Sequence, residues 1–142
     1  MTTMPVITIR QPWAHAILHF WKNVENRSWP TKHRGPILVH AGRAFVNKTI
    51  RADIDAARLA TMLSRPVDNL LPDAVTPDEL KALTGGIVGV VTIVDCVQNH
   101  PSPWAIPGHW HWVLADPKPI PFQACKGRLG IWRIETPERV VV

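Results

Sequence analysis

Short runs of β-branched and other apolar residues recur along this chain, each closed by proline, glycine or polar residues. Runs of this length and composition are typical of strands in a sheet. They predict strands at residues 6–9, 37–41, 87–97, 109–114 and 131–134, and residues 24–29 add a sixth if they are extended. The Pro-rich stretch 117–121 is expected at a sheet edge or in a connection, because proline cannot donate to a strand ladder.

Apolar residues at helical spacing occur between the predicted strands. Trp13, Ile17 and Trp21 predict an amphipathic helix over residues 13–21. Apolar spacing also predicts a helix over residues 47–63, and a capping box at residues 76–79 predicts a short helix that ends at Gly85-Gly86. These elements together predict an α+β fold, built as a small β-barrel of five or six strands with two or three peripheral helices.

The composition indicates one globular, intracellular domain. A length of 142 residues fits a single domain over residues 1–142, and a hydrophobic fraction of 46% argues against general disorder. The first ten residues do not resemble a secretory signal, and no apolar run reaches membrane-spanning length. Two cysteines, Cys96 and Cys125, cannot form a disulfide framework. We therefore expect a cytoplasmic protein that makes no membrane contact.

Positive charge is concentrated in the first third of the chain. The formal net charge is +5, and residues 1–52 contain eight Lys or Arg against one acidic residue, Glu25. Residues 53–95 contain three basic and seven acidic residues. This asymmetry favours a polyanionic partner such as RNA or a nucleotide. A solvated basic face without a partner is the alternative.

Two short motifs place cationic, amide, carboxylate and indole groups at the two ends of the first predicted helix. Their members are Arg10, Gln11, Trp13, Lys22, Glu25, Arg27 and Trp29. A strand–helix–strand unit would bring them to one side of the fold, where arginine can hold phosphate and polar side chains can read base edges. The spacing predicts that Glu25 pairs with a cation. A plain ion pair beside two core tryptophans is the alternative.

Five segments follow one another in a recognisable order. They are Ile7–Ala14, Lys22-x-x-Glu25-x-Arg27, Gly35–Ala41, Gly86–Val91 and Lys126-Gly127-x-x-Gly130-Ile131-Trp132. Over about residues 6–134 this order resembles the ASCH family. The resemblance implies a PUA-like β-barrel with a cleft beside the first helix, in which RNA or modified nucleotides bind.

The residues expected to bind RNA or a nucleotide combine the resemblance with the charge pattern. They are Arg10, Gln11, Lys22, Glu25, Arg27, Trp29, His40, Arg43, Lys126 and Arg128. Gln11 and Glu25 are expected to read polar edges, and Trp29 to stack on a base. No cofactor motif is found. His15 and His19 lie four residues apart, but without a third ligand we expect no metal there.

The resemblance also makes catalysis at Lys22 and Glu25 a hypothesis. ASCH proteins that hydrolyse acetylated cytidine carry a Lys-x-x-Thr motif and a distant Glu. Here Glu25 replaces the Thr, and Asp95 is the candidate for the distant acid. A carboxylate beside Lys22 is expected to raise its pKa, which opposes its use as a neutral base. The sequence therefore predicts no efficient acetylcytidine hydrolysis.

Other functions remain open from the sequence. Some ASCH proteins cleave single-stranded RNA, and His40, Arg43 and Lys126 are residues of the right type for that chemistry. An RNA- or nucleotide-binding protein is the first hypothesis, and an enzyme acting on RNA or nucleosides is the second. The third is a protein-interaction module in transcription or RNA machinery, whose groove would take an acidic peptide.

Overall fold

The computed structural model describes residues 2–11, 13–45, 77–138 and 140. Its strands are β1 (Thr3–Gln11), β2 (Val24–Arg27), β3 (Gly35–Phe45), β4 (Gly86–Val97), β5 (Trp110–Ala124) and β6 (Ile131–Glu135). Its helices are α1 (Trp13–His19) and α2 (Pro77–Ala82). The described part of the chain is therefore mostly β.

All six strands belong to one mixed sheet in the order β2-β5-β4-β3-β1-β6. β1 and β3 are parallel, from Val6 opposite Leu38 to Arg10 opposite Gly42, and the other pairs are antiparallel. A parallel pair needs a long crossover, which α1 and β2 provide. The predicted strands are confirmed, including the sixth one at residues 24–29, which is β2.

The sheet is not closed into a barrel, and this corrects the expectation of a PUA-like small β-barrel. Barrel closure needs a continuous ladder between the two end strands of the sheet, which are β2 and β6. In the described residues, β2 pairs only with β5 and β6 only with β1. These end strands have four and five residues. β6 covers β1 only as far as Ile7, and beyond that point the side chain of Arg27 spans the gap between β2 and β1, which we call the seam.

Alternation along the strands builds an apolar core on both faces of the sheet. In β3, Val39 faces the cluster that includes Ile17 of α1 and Trp112 of β5. Its neighbour Leu38 faces the second cluster, beside Val90. Both β3 residues are fully buried, as expected for a strand with a core on each side.

Helix α1 is shorter than the predicted 13–21 because the backbone turns at Trp21, which has a φ of 59°. A left-handed residue cannot continue a right-handed helix. The short helix predicted after residue 76 is confirmed as α2. The helix predicted over residues 47–63 lies outside the described residues. Neither described helix is long and apolar enough to cross a membrane.

The prolines at 117–121 lie within β5 rather than in a separate connection. β2 pairs with β5 only between Trp110 and Val113, so in the described residues the rest of β5 is paired on one side by β4. A strand with one open edge tolerates proline, which agrees with the predicted edge position.

Candidate functional site

A cavity of about 1050 Å³ opens at the seam. It lies between β1, β2, the Pro-rich loop (residues 98–109) and the basic loop (residues 125–130). Its lining residues from the strands and helix α1 are Ile7, Thr8, Ile9, Arg10, Trp13, Glu25, Asn26 and Arg27. Lys22, just before β2, also lines the cavity, and the remaining lining residues belong to the two loops. The volume is in the range of pockets that hold small ligands.

A buried charge cluster forms one wall of the cavity. Glu25 and Arg27 lie two residues apart on β2, so their side chains share one face of the strand. Glu25 Oε1 is 3.3 Å from Lys22 Nζ, and Glu25 Oε2 is 2.9 Å from Arg27 Nη2. The predicted pairing of Glu25 with a cation is therefore confirmed. When Lys22 and Arg27 are both charged, the cluster that they form with Glu25 carries a net positive charge.

The pKa of Lys22 is lowered from its usual 10.5, mainly because burial disfavours the charged amine. Its side chain is almost fully buried, and Nζ also donates to the Val24 carbonyl. Glu25 acts in the opposite direction, as the sequence predicted, but it does not outweigh burial. The expectation of a net raised pKa was therefore wrong. The expectation failed because desolvation, which depends on the tertiary structure, lowers the pKa of Lys22 more than Glu25 raises it.

Arg27 joins the two sides of the seam. Its Nη2 donates to the Thr8 carbonyl at 2.7 Å, and its guanidinium lies 5.7 Å from the Trp112 ring. The β1–β6 pairing ends at Ile7 opposite Ile131, so the Thr8 carbonyl lies beyond that ladder. The arginine thus satisfies a backbone acceptor that a closed barrel would have given to another strand.

His40 holds the basic loop against β1. The ring is 1% exposed, and its Nε2 lies 2.6 Å from the Cys125 carbonyl. Its Nδ1 is 3.4 Å from the Thr8 hydroxyl, which is also 3.3 Å from the Arg128 carbonyl. A Cβ added at Gly127 would lie 2.8 Å from His40 Cε1, so only glycine allows this close approach.

The Pro-rich loop is anchored to β2 through Asn26. The Asn26 amide donates to the Trp104 carbonyl at 3.0 Å and accepts from the Ile106 N–H at 2.9 Å. His111 adds a second anchor, because its Nδ1 accepts from the His100 N–H and its Nε2 lies 2.8 Å from the Ile106 carbonyl. The loop is therefore fixed in place as one side of the cavity.

Two residues that line the cavity each have a buried side-chain nitrogen with no hydrogen-bond partner in the described part of the chain. These nitrogens are Trp104 Nε1 and His109 Nδ1. Trp104 itself is 4% exposed and packs edge-on against Trp13. Buried polar atoms without partners are rare in proteins.

Residues 7–124, which are well over half of the chain, match the ASCH domain family. The chain belongs to the ASCH family. This is a PUA-like family generally linked to RNA binding. Human activating signal cointegrator 1 is 27% identical over 93 residues, which are 66% of this chain and 14% of that protein. The chain therefore spans only a small part of that relative.

Five predicted site residues meet at the cavity of this ASCH chain. They are Arg10, Lys22, Glu25, Arg27 and Arg128. The other five are not among the lining residues: Gln11, Trp29, His40, Arg43 and Lys126. Arg43 and Lys126 are exposed, whereas His40 is buried behind the basic loop.

Gln11 and Trp29 have structural contacts in place of the expected ligand contacts. The Gln11 amide is 1% exposed, accepts from the His15 N–H at 2.9 Å, and donates to the Leu83 carbonyl. It thereby satisfies a free N–H at the start of α1. Trp29 is 36% exposed and packs edge-on against Trp112, with ring centroids 4.7 Å apart.

Sequence reasoning missed three polar residues at the cavity, Thr8, Asn26 and Trp104. The alternation over residues 109–114 allowed either His109 and His111 or Trp110 and Trp112 to line the cleft, and of these four His109 lines it. Thr8 and Asn26 lie within the ASCH motifs, but nothing in their spacing marks them as site residues. Trp104 lies in a Pro-rich segment, where an isolated Trp between prolines was the available signal.

The remaining catalytic and metal candidates lie elsewhere or do not assemble. Asp95 is exposed on β4, 3.8 Å from Arg34, and does not line the cavity. His15 and His19 stack on each other in α1. Among the described residues, no three His, Cys, Asp or Glu side chains come together as a metal site requires.

Proposed function

We propose that this ASCH chain binds RNA, or a single nucleotide, in the cavity at the seam. The observation that supports this most is that exposed cations line two sides of the cavity of about 1050 Å³. Arg10 at the end of β1 and Arg128 in the basic loop are both exposed and both line it. Neither guanidinium forms an ion pair within the described part of the chain. Both are therefore available to phosphate.

The buried cluster adds to this electrostatic preference. Both Glu25 oxygens are engaged by Lys22 and Arg27, so the carboxylate is neutralised and repels an anion less. An RNA backbone at Arg10 and Arg128 would place its base toward the apolar and indole groups of the cavity. Phosphate contacts would supply the affinity, and the cavity would supply the selectivity.

The test is the salt dependence of binding to a single-stranded RNA labelled with a fluorophore. Arg10→Gln and Arg128→Gln should each weaken binding and lower the slope of log affinity against log salt by about 0.7. Lys32→Gln is the control, because Lys32 is an exposed cation of the same N-terminal third outside the cavity lining. Equal loss in all three variants would mean a diffuse basic surface. Binding without salt dependence would contradict the proposal.

An acidic peptide of matched charge distinguishes a protein-interaction module from an RNA-binding one. We expect the peptide to compete poorly with RNA, because it offers no base for the cavity. Competition at equal concentration would favour the protein-interaction function.

An enzyme acting on RNA or nucleosides is the second candidate, and Lys22 is the observation that favours it. Burial lowers its pKa, so the neutral amine needed by a general base forms more readily than Glu25 alone would allow. Compared with the Lys-x-x-Thr motif of ASCH amidohydrolases, this chain has Glu25 where that motif has the threonine hydroxyl. Thr8 lines the cavity, but its hydroxyl lies 3.4 Å from His40 Nδ1 and is held there beside the basic loop.

We expect the wild type to leave acetylated cytidine intact, because Glu25 offers no hydroxyl and both its oxygens are bound. Product analysis should show no deacylation at the rate of about 1 per second that ordinary enzymes reach. Lys22→Ala is the matched variant. Turnover by the wild type that is lost in Lys22→Ala would make this chain an amidohydrolase. Cleavage of single-stranded RNA by the wild type would make it a ribonuclease.

A further inference from the structure

We propose that the cavity holds one nucleotide of an RNA strand, and that the strand continues across one end of the sheet along a row of four cations. We call these residues the cationic row, and they are Arg10, Arg43, Lys126 and Arg128. This inference rests on the proposed RNA-binding function and adds the class of ligand, an oligonucleotide rather than a mononucleotide. It also gives a binding role to Arg43 and Lys126, which do not line the cavity.

The strand register places the cationic row at one end of the sheet, across neighbouring strands in the order β1-β3-β4-β5. Arg10 of β1 lies opposite Gly42, which precedes Arg43 in β3. The ladder between β3 and β4 ends at the first residue of β4, which also lies opposite Ala124 of β5. Lys126 follows two residues after Ala124. The carboxyl ends of β1, β3 and β5 therefore lie together at the start of β4.

Gly85 connects Arg43 to the basic loop. The Cys125 N–H donates to the Gly85 carbonyl at 3.1 Å. A Cβ added at Gly85 would lie 3.2 Å from Arg43 Nε, so the guanidinium group packs directly on this glycine. Lys126 follows Cys125 in the chain, and Arg128, two residues later, lines the cavity. A continuous path therefore leads from the cavity along the basic loop to Arg43.

The segments that form the cationic row are free of acidic residues. Residues 2–11, 40–45, 84–94 and 122–130 contain four Lys or Arg, the members of the row, and no Asp or Glu. No ion pair in the described part of the chain involves any of the four. Helix α2, which leads into β4, adds two acidic residues and one lysine. This end of the sheet therefore keeps a net positive charge, which attracts a polyanion.

The cationic row is long enough for several phosphates. Neighbouring strands lie about 4.8 Å apart, so the three spacings from β1 to β5 cover about 14 Å. A stacked nucleic-acid strand has one phosphate about every 3.4 Å, so this span corresponds to about four nucleotides. A mononucleotide in the cavity meets the two arginines of the row that line it, Arg10 and Arg128. Arg43 and Lys126 are then available to the phosphates of the adjoining nucleotides.

The experiment measures the affinities of uridine monophosphate and of single-stranded oligouridines of two, four and eight nucleotides. We expect the affinity of the wild type to rise with length up to about four nucleotides and little beyond that. The double variant Arg43→Gln/Lys126→Gln should lower the salt slope for the octamer by about 1.4, or about 0.7 for each lost phosphate contact. In about 0.1 M salt this is a loss of about 25-fold in octamer affinity. The affinity for the mononucleotide should change much less.

Two further double variants are the controls. Lys32→Gln/Lys118→Gln removes the same charge from exposed lysines outside the cationic row, and should change the octamer affinity by about twofold or less. Arg43→Lys/Lys126→Arg keeps both charges and should keep most of the octamer affinity. The charge-keeping variant separates the loss of phosphate contacts from a local change of structure.

The outcomes separate this inference from the proposed function. A wild type that binds the mononucleotide as tightly as the octamer, with Arg10→Gln and Arg128→Gln still weakening both, overturns the cationic row and keeps the cavity as a nucleotide site. Octamer affinity that is unchanged in Arg43→Gln/Lys126→Gln, or that falls equally in either control, also overturns the row. Absence of RNA and nucleotide binding at any salt concentration overturns both.

Discussion

At the scale of single residues, the amine of Lys22 shows how burial and ion pairing compete to set a pKa. The side chain is 4% exposed, and Glu25 Oε1 at 3.3 Å is its charged partner. Burial and pairing act on its pKa in opposite directions, and burial has the larger effect. Burial commonly lowers the pKa of a lysine, and a nearby carboxylate commonly raises it. The degree of burial decides which of the two effects is larger.

Lys22→Met should remove a pH-dependent part of the stability. The folded pKa of Lys22 lies below 10.5, so between that lowered value and about 10.5 the unfolded chain binds more protons. The free energy of unfolding of wild type, relative to Lys22→Met, should therefore rise as the pH increases toward 10. Below the lowered folded pKa the burial penalty is fully present.

Urea denaturation of both proteins from pH 7 to pH 10 measures this difference. Lys32→Met, a change at an exposed lysine, is the control and should show no such trend. A difference that falls as the pH rises would mean that the pKa of Lys22 is raised rather than lowered.

At the scale of elements, the basic loop depends on residues far away in the sequence. His40 of β3 contacts the Cys125 carbonyl at 2.6 Å, and Gly127 packs against the same ring. Thr8 of β1 completes the attachment through the Arg128 carbonyl. We infer that His40 positions the loop that presents Arg128, although His40 does not line the cavity.

Gly127→Ala should destabilise the fold and weaken RNA binding. The added Cβ would lie 2.8 Å from His40 Cε1, so the ring or the loop must move. Overpacking of this kind costs about 1–3 kcal/mol, which urea denaturation can measure. Lys126→Ala, an exposed change in the same loop, should alter stability by about 0.5 kcal/mol or less. Equal stability of Gly127→Ala and wild type would show that the loop is not fixed against His40.

At the scale of the molecule, the open sheet creates the cavity. A ladder between β2 and β1 would fill the seam with backbone, but in the described residues these strands form no ladder and are joined by the hydrogen bond from Arg27 to the Thr8 carbonyl. The seam therefore keeps room for a ligand between β1, β2 and the two loops. Arg27 also pairs with Glu25, so one residue stabilises both the sheet and the charge cluster.

Arg27→Met should lower the free energy of unfolding by about 2–3 kcal/mol, because the Thr8 carbonyl and a Glu25 oxygen each lose a donor. Arg34→Met is the control: Arg34 pairs with exposed Asp95 at 3.8 Å, and such surface pairs contribute about 0–1 kcal/mol. Urea denaturation distinguishes the two. Equal effects would show that the seam does not depend on Arg27.

The sequence by itself determined the elements and the family. Local apolar patterns predicted the six strands, α1 and α2, because strand and helix periods are set by neighbouring residues. The order of motifs indicated the ASCH family, which the match over residues 7–124 confirms. The spacing of Glu25 between Lys22 and Arg27 also predicted their ion pairs correctly.

Only the tertiary structure decided whether the sheet closes, which side chains line the cavity and how far Lys22 is buried. Gln11 and His40 belong to recognised motifs, yet packing places them in structural contacts. Trp104 reaches the cavity because Asn26, 78 residues earlier in the chain, holds its loop. Contacts between distant segments and desolvation depend on the assembled fold, so no local pattern encodes them.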